Sequence, residues 1–386
     1  MFSTIKSIFQ KYNYKYYQFS LLFMVTALSL FGVFMVGSAS PALFDRQLMG
    51  LFLGITAMIV ISFVDYKLIL KFTLPMYVVN LILLISVLIF GEEINGAKRW
   101  LALGDFLTFQ PSDLTKIILI LFFAKLFSKH KASISKLRLL VPSLVLLIPS
   151  VELIRRQPNL SNTIVLVIVF LVLVFLAGVS YKLIALVMLL TVPIIAGLFV
   201  VSLQPDQQIL MGFQQDRILA FLNPEEFAQE GAYQQLNSVM AIGSGQLTGR
   251  GFNNDDPTTL KNSGFIPEAQ NDFIFSIIGE ELGFVGCSIV IILLLLIVLL
   301  CILTGMRSGD MAGRLICGGI ATLIAVQGFI NIGVATKIIP NTGVSLPFVS
   351  YGLTSLVSLC IGIGLVLNVG LHPRKHLNNY MDEEDI

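Results

Sequence analysis

Charged residues are scarce in this chain. Only 12% of its 386 residues are Asp, Glu, Lys or Arg, whereas 56% are hydrophobic, and the mean hydropathy is +0.87. A soluble globular domain carries about 25% charged residues, so this shortage excludes a water-soluble globular protein. Apolar runs of the length that a membrane helix needs, about 20 residues, recur along the chain. The sequence therefore predicts a polytopic membrane protein.

Several residue types that carry chemistry are also rare or badly placed. The three histidines are scattered, which predicts neither histidine catalysis nor a histidine-ligated metal. The four cysteines lie inside apolar runs without a CxxC spacing, which indicates buried side chains rather than a disulfide framework. The glycine-rich stretch 243–251, "GSGQLTGRG", lacks the GK[ST] of a phosphate-binding loop and predicts a flexible turn. The chain contains no GxSxG motif, so carboxylates and basic residues remain as candidates.

The apolar runs predict an all-α fold of about ten transmembrane helices. Lys and Arg are concentrated in the loops on one side, which predicts that both termini are cytoplasmic. The N-terminal segment lacks a small-residue cleavage site, so the first helix is expected to stay as an anchor. The predicted spans lie near residues 19–38, 47–64, 69–90, 112–128, 137–151, 160–177, 180–201, 273–304, 311–337 and 344–370. The expected organisation is a cytoplasmic N-terminal segment (1–18), seven helices (19–201), a long extracellular loop (202–272), three helices (273–370) and a cytoplasmic tail (371–386).

Acidic residues gather where the extracellular loop enters the eighth helix, in "FIPEAQNDFIFSIIGEELGFVG" (265–286). Helical spacing places Asp272 on one face with Ser276, Gly279 and Gly283, and with Glu268 if the helix starts early. The first turn favours an anion by about 0.3–1 kcal/mol, while desolvation raises a carboxyl pKa. A modest rise suits a general base near neutral pH. The alternative is that Asp272 only caps the helix. Glu280 and Glu281 lie deeper, which favours a structural ion pair.

Three further polar stretches are predicted on the same outer side. The tryptophan beside cations is explained equally well by interfacial anchoring. Lys116 lies one turn into a predicted span and three residues from Asp113, which indicates either a local pair or a polar cavity. The stretches contribute Lys98, Arg99, Trp100, Gln110, Asp113 and Lys116, then Arg155, Arg156 and Gln157, and finally Lys337, Ser350 and Tyr351.

Seven motifs in this chain resemble, in order and spacing, those of the SEDS family of shape, elongation, division and sporulation proteins. The resemblance covers about residues 19–375. It implies ten membrane helices in the cytoplasmic membrane of a bacterium, and a glycosyltransferase that polymerises lipid II into glycan strands outside it. It also implies a class B penicillin-binding protein as transpeptidase partner, and no nucleic acid. The motifs are "NGAKRW", "FQPSDLTK", "RRQPNLSNT", "YQQLNSVMAIGSGQLTGRG", "IPEAQNDFIFSIIGEELGFVG", "NIGV" and "TGVSLPFVSYG".

The resemblance also implies roles for individual residues. Asp272 matches the essential aspartate of the family and is the expected general base. A pyrophosphate leaves as a stable anion, so it needs cations rather than the second carboxyl group of a glycosidase. A divalent cation, Mg²⁺ or Mn²⁺, is a candidate to share that task, with Asp272 or Glu268 as a ligand. Leu353 replaces a family glycine. The expected substrate-binding residues are Glu268, Lys98, Arg99, Trp100, Gln110, Lys116, Arg155, Arg217, Lys337, Ser350 and Tyr351.

Two alternatives stay open from the sequence. The short terminal segments favour an elongation, or rod-shape, member over a division or sporulation member of the same family. A flippase for a lipid-linked precursor is the rival from another class, because charges inside a membrane protein often line a transport path. The charges here concentrate at the outer rim rather than near the bilayer midplane, which favours the polymerase.

Overall fold

The computed structural model describes residues 16–94, 97–103, 107–130, 137–179, 212–223, 233–254 and 256–372. Within these ranges the chain is predominantly helical, and nine helices have 17 residues or more. The predicted span 180–201, most of the segment 1–18 and most of the tail 371–386 lie outside the described residues. The helices are α1 Phe19–Ala39, α2 Phe44–Ser62, α3 Tyr66–Lys71, α4 Thr73–Phe90, α5 Pro111–Lys129, α6 Leu137–Arg156, α7 Leu160–Leu176, α8 Gly212–Leu222, α9 Tyr233–Ser244, α10 Ile274–Arg307, α11 Met311–Ala335 and α12 Leu353–Gly370.

The long helices confirm the prediction of a polytopic helical membrane protein. Six of them are long and apolar enough by composition to cross a bilayer: α1, α2, α4, α10, α11 and α12. Short polar side chains stabilise the start of several helices, as expected for N-caps. Asp310 accepts a hydrogen bond from Gly313 N at 2.8 Å at the start of α11. Asn159 does the same for Asn162 N at 3.2 Å at the start of α7.

Close packing in the bundle depends on small residues. α12 packs against α2, and α11 packs against α5, α7 and α10. A Cβ atom on Gly364 of α12 would lie only 2.6 Å from Met58 O of α2, and one on Gly54 would lie 3.0 Å from Cys360 Sγ. Small residues let membrane helices approach each other at backbone distance. The bundle is therefore held partly by positions that tolerate no larger side chain.

A small antiparallel sheet between α4 and α5 was not predicted from the sequence. It contains β1 (Glu92–Ile94), β2 (Ala97–Leu103) and β3 (Leu107–Phe109) in that order. Trp100 pairs with Glu92 across β1 and β2, and Leu101 pairs with Phe109 across β2 and β3. The all-α prediction thus needs this correction. The strands provide hydrogen-bond partners for the backbone N–H and C=O groups of a polar stretch that also supplies Lys98, Arg99 and Trp100.

The helix α10 is interrupted at Gly283, which has φ 64° and ψ −160°. The stretch 245–251 packs against this break, where Phe284 N donates to Gln246 O at 2.8 Å. A Cβ atom on Gly245 would lie 1.8 Å from Gly279 O. The glycine-rich stretch is a turn, as predicted, but it is fixed by main-chain hydrogen bonds and is not the free, flexible turn that its composition indicated.

The last helix begins nine residues later than predicted, because residues 336–352 form a loop between α11 and α12. Gly343 and Gly352 have positive φ angles of 72° and 153°, which favour glycine and end helical geometry. The side chain of Gln47 on α2 holds the loop by donating to Ser350 O at 3.2 Å and accepting from Gly352 N at 3.3 Å. We call residues 336–352 the 336–352 loop.

Candidate active site

Asp272 lies immediately before α10, and its carboxylate is partly buried. Phe273 occupies the N-cap position, and no side chain caps this helix end. The capping alternative is therefore wrong. The predicted helical face is wrong too, because Asp272 precedes the helix and Gly283 interrupts it. The position of Asp272 is set by tertiary contacts instead.

Asp272 and Arg217 meet at Gly343 in the 336–352 loop. From the place that a Cβ atom of Gly343 would take, Asp272 Oδ2 is 3.1 Å away and Arg217 Nη1 is 3.9 Å away. Arg217 comes from α8, and Arg99 from β2 also interacts electrostatically with both Asp272 and Arg217. One carboxylate and two guanidinium groups thus form the Asp272–Arg99–Arg217 cluster, which draws on three elements far apart in sequence.

Burial and the neighbouring positive charges have opposite effects on the pKa of Asp272. Burial raises the pKa of Asp272, the positive charges of Arg217 and Arg99 lower it, and Glu268 raises it; the net direction is upward. Burial lowers the pKa of Arg217, while Asp272 opposes that change. Arginine stays protonated in proteins. The cluster therefore combines two fixed positive charges with a carboxylate of raised proton affinity, which suits proton transfer beside an anion.

The side chain of Arg99 is fixed by the start of the neighbouring helix. Arg99 Nε donates to Gln157 O at 3.3 Å, and its Nη2 donates to Pro158 O. Gln157 is itself buried and donates to Leu84 O at 2.9 Å. These contacts join β2 to the end of α6 and to α4. The motif around Gln157 therefore positions Arg99.

Four other predicted residues lie on the same segments of the chain as Asp272, Arg99 or Gly343. Glu268 is exposed, with φ 51°, and accepts a hydrogen bond from Asn271 Nδ2 at 3.0 Å. Lys98 is exposed on β2, and Trp100 is half-buried two residues later. Lys337, with φ 57°, is half-buried at the start of the 336–352 loop. Their assignment to the substrate stays a prediction.

Gln110, Ser350 and Tyr351 make backbone contacts that hold the loops in place. Gln110 N donates to Thr354 Oγ1 at 3.3 Å, and Tyr351 N donates to Gln270 O at 2.9 Å. Ser350 Oγ is buried and accepts from Leu346 N at 2.8 Å. Tyr351 thus ties the 336–352 loop to the segment that carries Asp272.

Lys116 and Arg155 make ion pairs with nearby acidic residues, and their assignment as substrate-binding residues stays a prediction. Lys116 is buried and donates to Asp113 Oδ1 at 2.8 Å and to Asn162 Oδ1 at 3.2 Å. This is the local pair that the spacing suggested. Arg155 is exposed and binds both carboxylate oxygens of Glu152, at 2.8 and 3.0 Å.

Glu280 and Glu281 fasten the preceding segment to α10. Glu280 accepts hydrogen bonds from Leu260 N at 2.7 Å and Lys261 N at 3.0 Å. Glu281 pairs with Lys261 Nζ at 2.6 Å and accepts from Ser38 Oγ of α1. The prediction of a structural ion pair is confirmed for Glu281, with Lys261 as its partner, whereas Glu280 is held by backbone amides instead.

Sequence reasoning missed Asn331 and Gly343. Asn331 is fully buried near the end of α11, and its Nδ2 donates to Asp272 O at 2.8 Å and to Val344 O at 2.7 Å. The signal that could have identified Asn331 is a lone amide side chain in the apolar stretch "GFINIGVA". For Gly343 the signal was weaker, a glycine in "NTGVS" whose neighbours are known only from the fold.

The candidates for holding a divalent cation are Asp272 and Glu268, which lie close enough to interact electrostatically. Mg²⁺ is commonly bound by one or two carboxylates together with substrate phosphates. Two carboxylates therefore fit a cation that a pyrophosphate brings with it. Among the residues that the structure describes, no group of three or more His, Cys, Asp or Glu side chains forms a metal cluster.

A protein-family model matches most of the chain. The model for FtsW, RodA and SpoVE, described as a cell cycle protein, matches residues 13–375. The chain belongs to this family. The SEDS resemblance seen in the sequence motifs is thereby confirmed, and the match includes every residue of the Asp272–Arg99–Arg217 cluster.

Three similar proteins illustrate the family. The probable peptidoglycan glycosyltransferase FtsW of Trichlorobacter lovleyi is 34% identical over 370 residues, covering 92% of this chain and 93% of the relative. A solved structure described as a peptidoglycan synthase complex that coordinates polymerization and crosslinking is 29% identical, with a TM-score of 0.76, covering 92% of this chain and 97% of that one. A crystal structure of the rod shape determining protein RodA of Thermus thermophilus is 29% identical, with a TM-score of 0.66, covering 93% and 96%.

Proposed function

We propose that the protein is a peptidoglycan glycosyltransferase that polymerises lipid II into glycan strands on the outer face of the bacterial cytoplasmic membrane. The observation that carries this proposal is the Asp272–Arg99–Arg217 cluster, in which one carboxylate of raised pKa lies near two half-buried guanidinium groups. Family membership supports the reaction class, since the FtsW relative is named for this activity.

In this reaction Asp272 is the general base. Its ionised carboxylate takes the proton from the acceptor sugar hydroxyl as that oxygen attacks the anomeric carbon of the donor. The bond from that carbon to the pyrophosphate oxygen breaks, and the lipid pyrophosphate leaves as an anion. General-base catalysis of this kind contributes typically about 10²–10⁴-fold to the rate.

Arg99 and Arg217 hold the negative charge of the pyrophosphate. Guanidinium groups bind phosphate oxygens through paired, charge-assisted hydrogen bonds. Preorganised positive charge of this kind stabilises the transition state because it needs no rearrangement as the leaving group departs. A divalent cation held by Asp272 or Glu268 would supply further positive charge to the pyrophosphate.

The first prediction concerns Asp272. Asp272→Ala and Asp272→Asn should both abolish glycan synthesis by purified protein in detergent with lipid II, because neither side chain can accept the proton. Asp256→Asn, in the loop before α10, is the control and should stay active. Near-normal polymerisation by Asp272→Asn would contradict the base role. Detergent also removes the two compartments that a flippase needs, so glycan made there excludes transport as the explanation.

The second part of the proposal concerns the process that the protein serves, elongation or division of the cell. We assign the protein to elongation of the side wall together with a class B penicillin-binding protein. The likeness to RodA and to a synthase complex that couples polymerization to crosslinking supports this assignment, while the FtsW relative supports the division alternative. Depletion in the source bacterium should give round cells for an elongation enzyme, whereas filaments would show a division enzyme.

A further inference from the structure

We propose that Asn331 is a positioning residue for Asp272, an inference that rests on the general-base role proposed above. Its side-chain amide links two backbone segments that face each other across the candidate site. One bond goes to the carbonyl oxygen of Asp272 at 2.8 Å, and the other to the carbonyl oxygen of Val344 at 2.7 Å. These two segments carry the carboxylate and the glycine beside it.

The orientation of this amide is fixed by its neighbours. Both partners are carbonyl oxygens, which only accept hydrogen bonds, so the NH₂ group must face them. Asn331 is fully buried, and water cannot replace either bond without opening the bundle. Among described residues the Oδ1 atom has no hydrogen-bond partner. The side chain therefore acts through its two donors alone.

The geometry that these two bonds maintain is tight. Gly343 precedes Val344 and has φ 72°, a value that favours glycine. A Cβ atom there would stand 3.1 Å from Asp272 Oδ2. The missing side chain leaves a gap beside the carboxylate. If the Asn331 bonds are lost, the direct side-chain link between the Asp272 backbone and the backbone next to Gly343 is lost.

A displaced carboxylate has a measurable consequence. Misplacing a reacting group by about 1 Å can cost about 100-fold in rate. The loss should fall on kcat rather than on KM, because Arg99 and Arg217 are the groups proposed to bind the pyrophosphate. A residue that only stabilised the fold would reduce the amount of folded enzyme without lowering kcat per folded molecule.

The test compares Asn331→Leu with Asn368→Leu in a lipid II polymerisation assay. Asn368 is the matched control: it is fully buried on α12 and also bridges two backbone groups, donating to Ser62 O at 2.9 Å and accepting from Tyr66 N at 2.8 Å. For Asn331→Leu we expect about a 100-fold lower kcat per folded molecule and little change in KM. Asn368→Leu should leave kcat per folded molecule close to that of the unchanged enzyme.

Two further variants keep the test decisive if Asn331→Leu does not fold. Asn331→Ser keeps one donor and should lower kcat less than Asn331→Leu does. Gly343→Ala disturbs the same gap from the opposite side and should also lower kcat. An unchanged kcat per folded molecule in Asn331→Leu, or in Asn331→Ser if Asn331→Leu does not fold, overturns the positioning role. Active Asp272→Asn would instead overturn the general-base role, so the two failures are distinguishable.

Discussion

At Asp272, burial and Glu268 raise the pKa of the carboxyl group, while Arg217 and Arg99 lower it. The proposed general base works only when ionised, so activity is expected to fall as the pH drops through this raised pKa. The acid limb of the pH profile should therefore lie above that of an ordinary aspartate. Removing a neighbouring charge should shift the acid limb of the pH profile, and the sign of that charge determines the direction of the shift.

Replacing Arg217 and Glu268 should shift the acid limb in opposite directions. Arg217→Gln removes an effect that lowers the pKa of Asp272, so the limb moves to higher pH; Glu268→Gln removes an effect that raises it, so the limb moves to lower pH. The measurement is kcat/KM against pH, which reports the free enzyme. Arg217→Lys keeps the charge and is the control. Shifts of the same sign in both neutral variants would contradict this electrostatic account.

At the scale of elements, α10 and the loop before it form a unit held by glycines and buried charges. Gly283 interrupts the helix, and a Cβ atom there would lie 2.4 Å from Gly249 N. Next to this break, Lys261 and Glu281 form an ion pair with side chains only 6% and 3% exposed. A buried pair is costly to break because removing one partner leaves an uncompensated charge.

Lys261→Met should destabilise the protein by about 3–5 kcal/mol, since Glu281 then stays buried without its partner. The double variant Lys261→Met with Glu281→Leu should recover most of that loss, because neither charge remains. Thermal unfolding in detergent measures both. Arg155→Met is the matched control: its pair with Glu152 is exposed and is worth about 0–1 kcal/mol. Equal losses in the single and double variants would mean that the uncompensated charge of Glu281 is not the cause of the destabilisation.

The elements that the sequence predicted best are those with a continuous apolar run. The helix Phe19–Ala39 differs by one residue from the predicted span 19–38. The start of α12 and the break at Gly283 were not predictable, because both depend on contacts with distant backbone. The site shows the same division: the Lys116–Asp113 pair was expected from the spacing, whereas the approach of Arg217 to Asp272 required the fold.

At the scale of the whole molecule, the 336–352 loop is held by helices from across the chain. Gln47 of α2 binds Ser350, and Ser161 of α7 donates to Thr342 O. In α1, a Cβ atom on Gly32 would lie 2.7 Å from both Phe348 O and Val349 Cα. The position of the 336–352 loop beside the candidate site therefore depends on several helices rather than on one local segment.

Gly32→Ala should weaken both stability and activity, because the added methyl group meets backbone of the 336–352 loop that cannot move aside. Overpacking of this kind costs typically about 1–3 kcal/mol. The measurements are the melting temperature in detergent and the polymerisation rate. Gly37→Ala on the same helix is the matched control, since its Cβ would meet only the side chain of Phe44, at 2.6 Å, and should cost less. Equal effects at both positions would contradict the role of the loop backbone.

The hydrogen bond between Gln47 and Ser350 joins residues 303 positions apart. During synthesis, a nascent chain that has inserted α10 already carries Asp272 but still lacks Asn331, Gly343 and Ser350. Such a chain has the proposed proton acceptor without the loop that borders it. Truncated or half-inserted products are therefore expected to make no glycan, because the site is completed only when nearly the entire bundle has entered the bilayer.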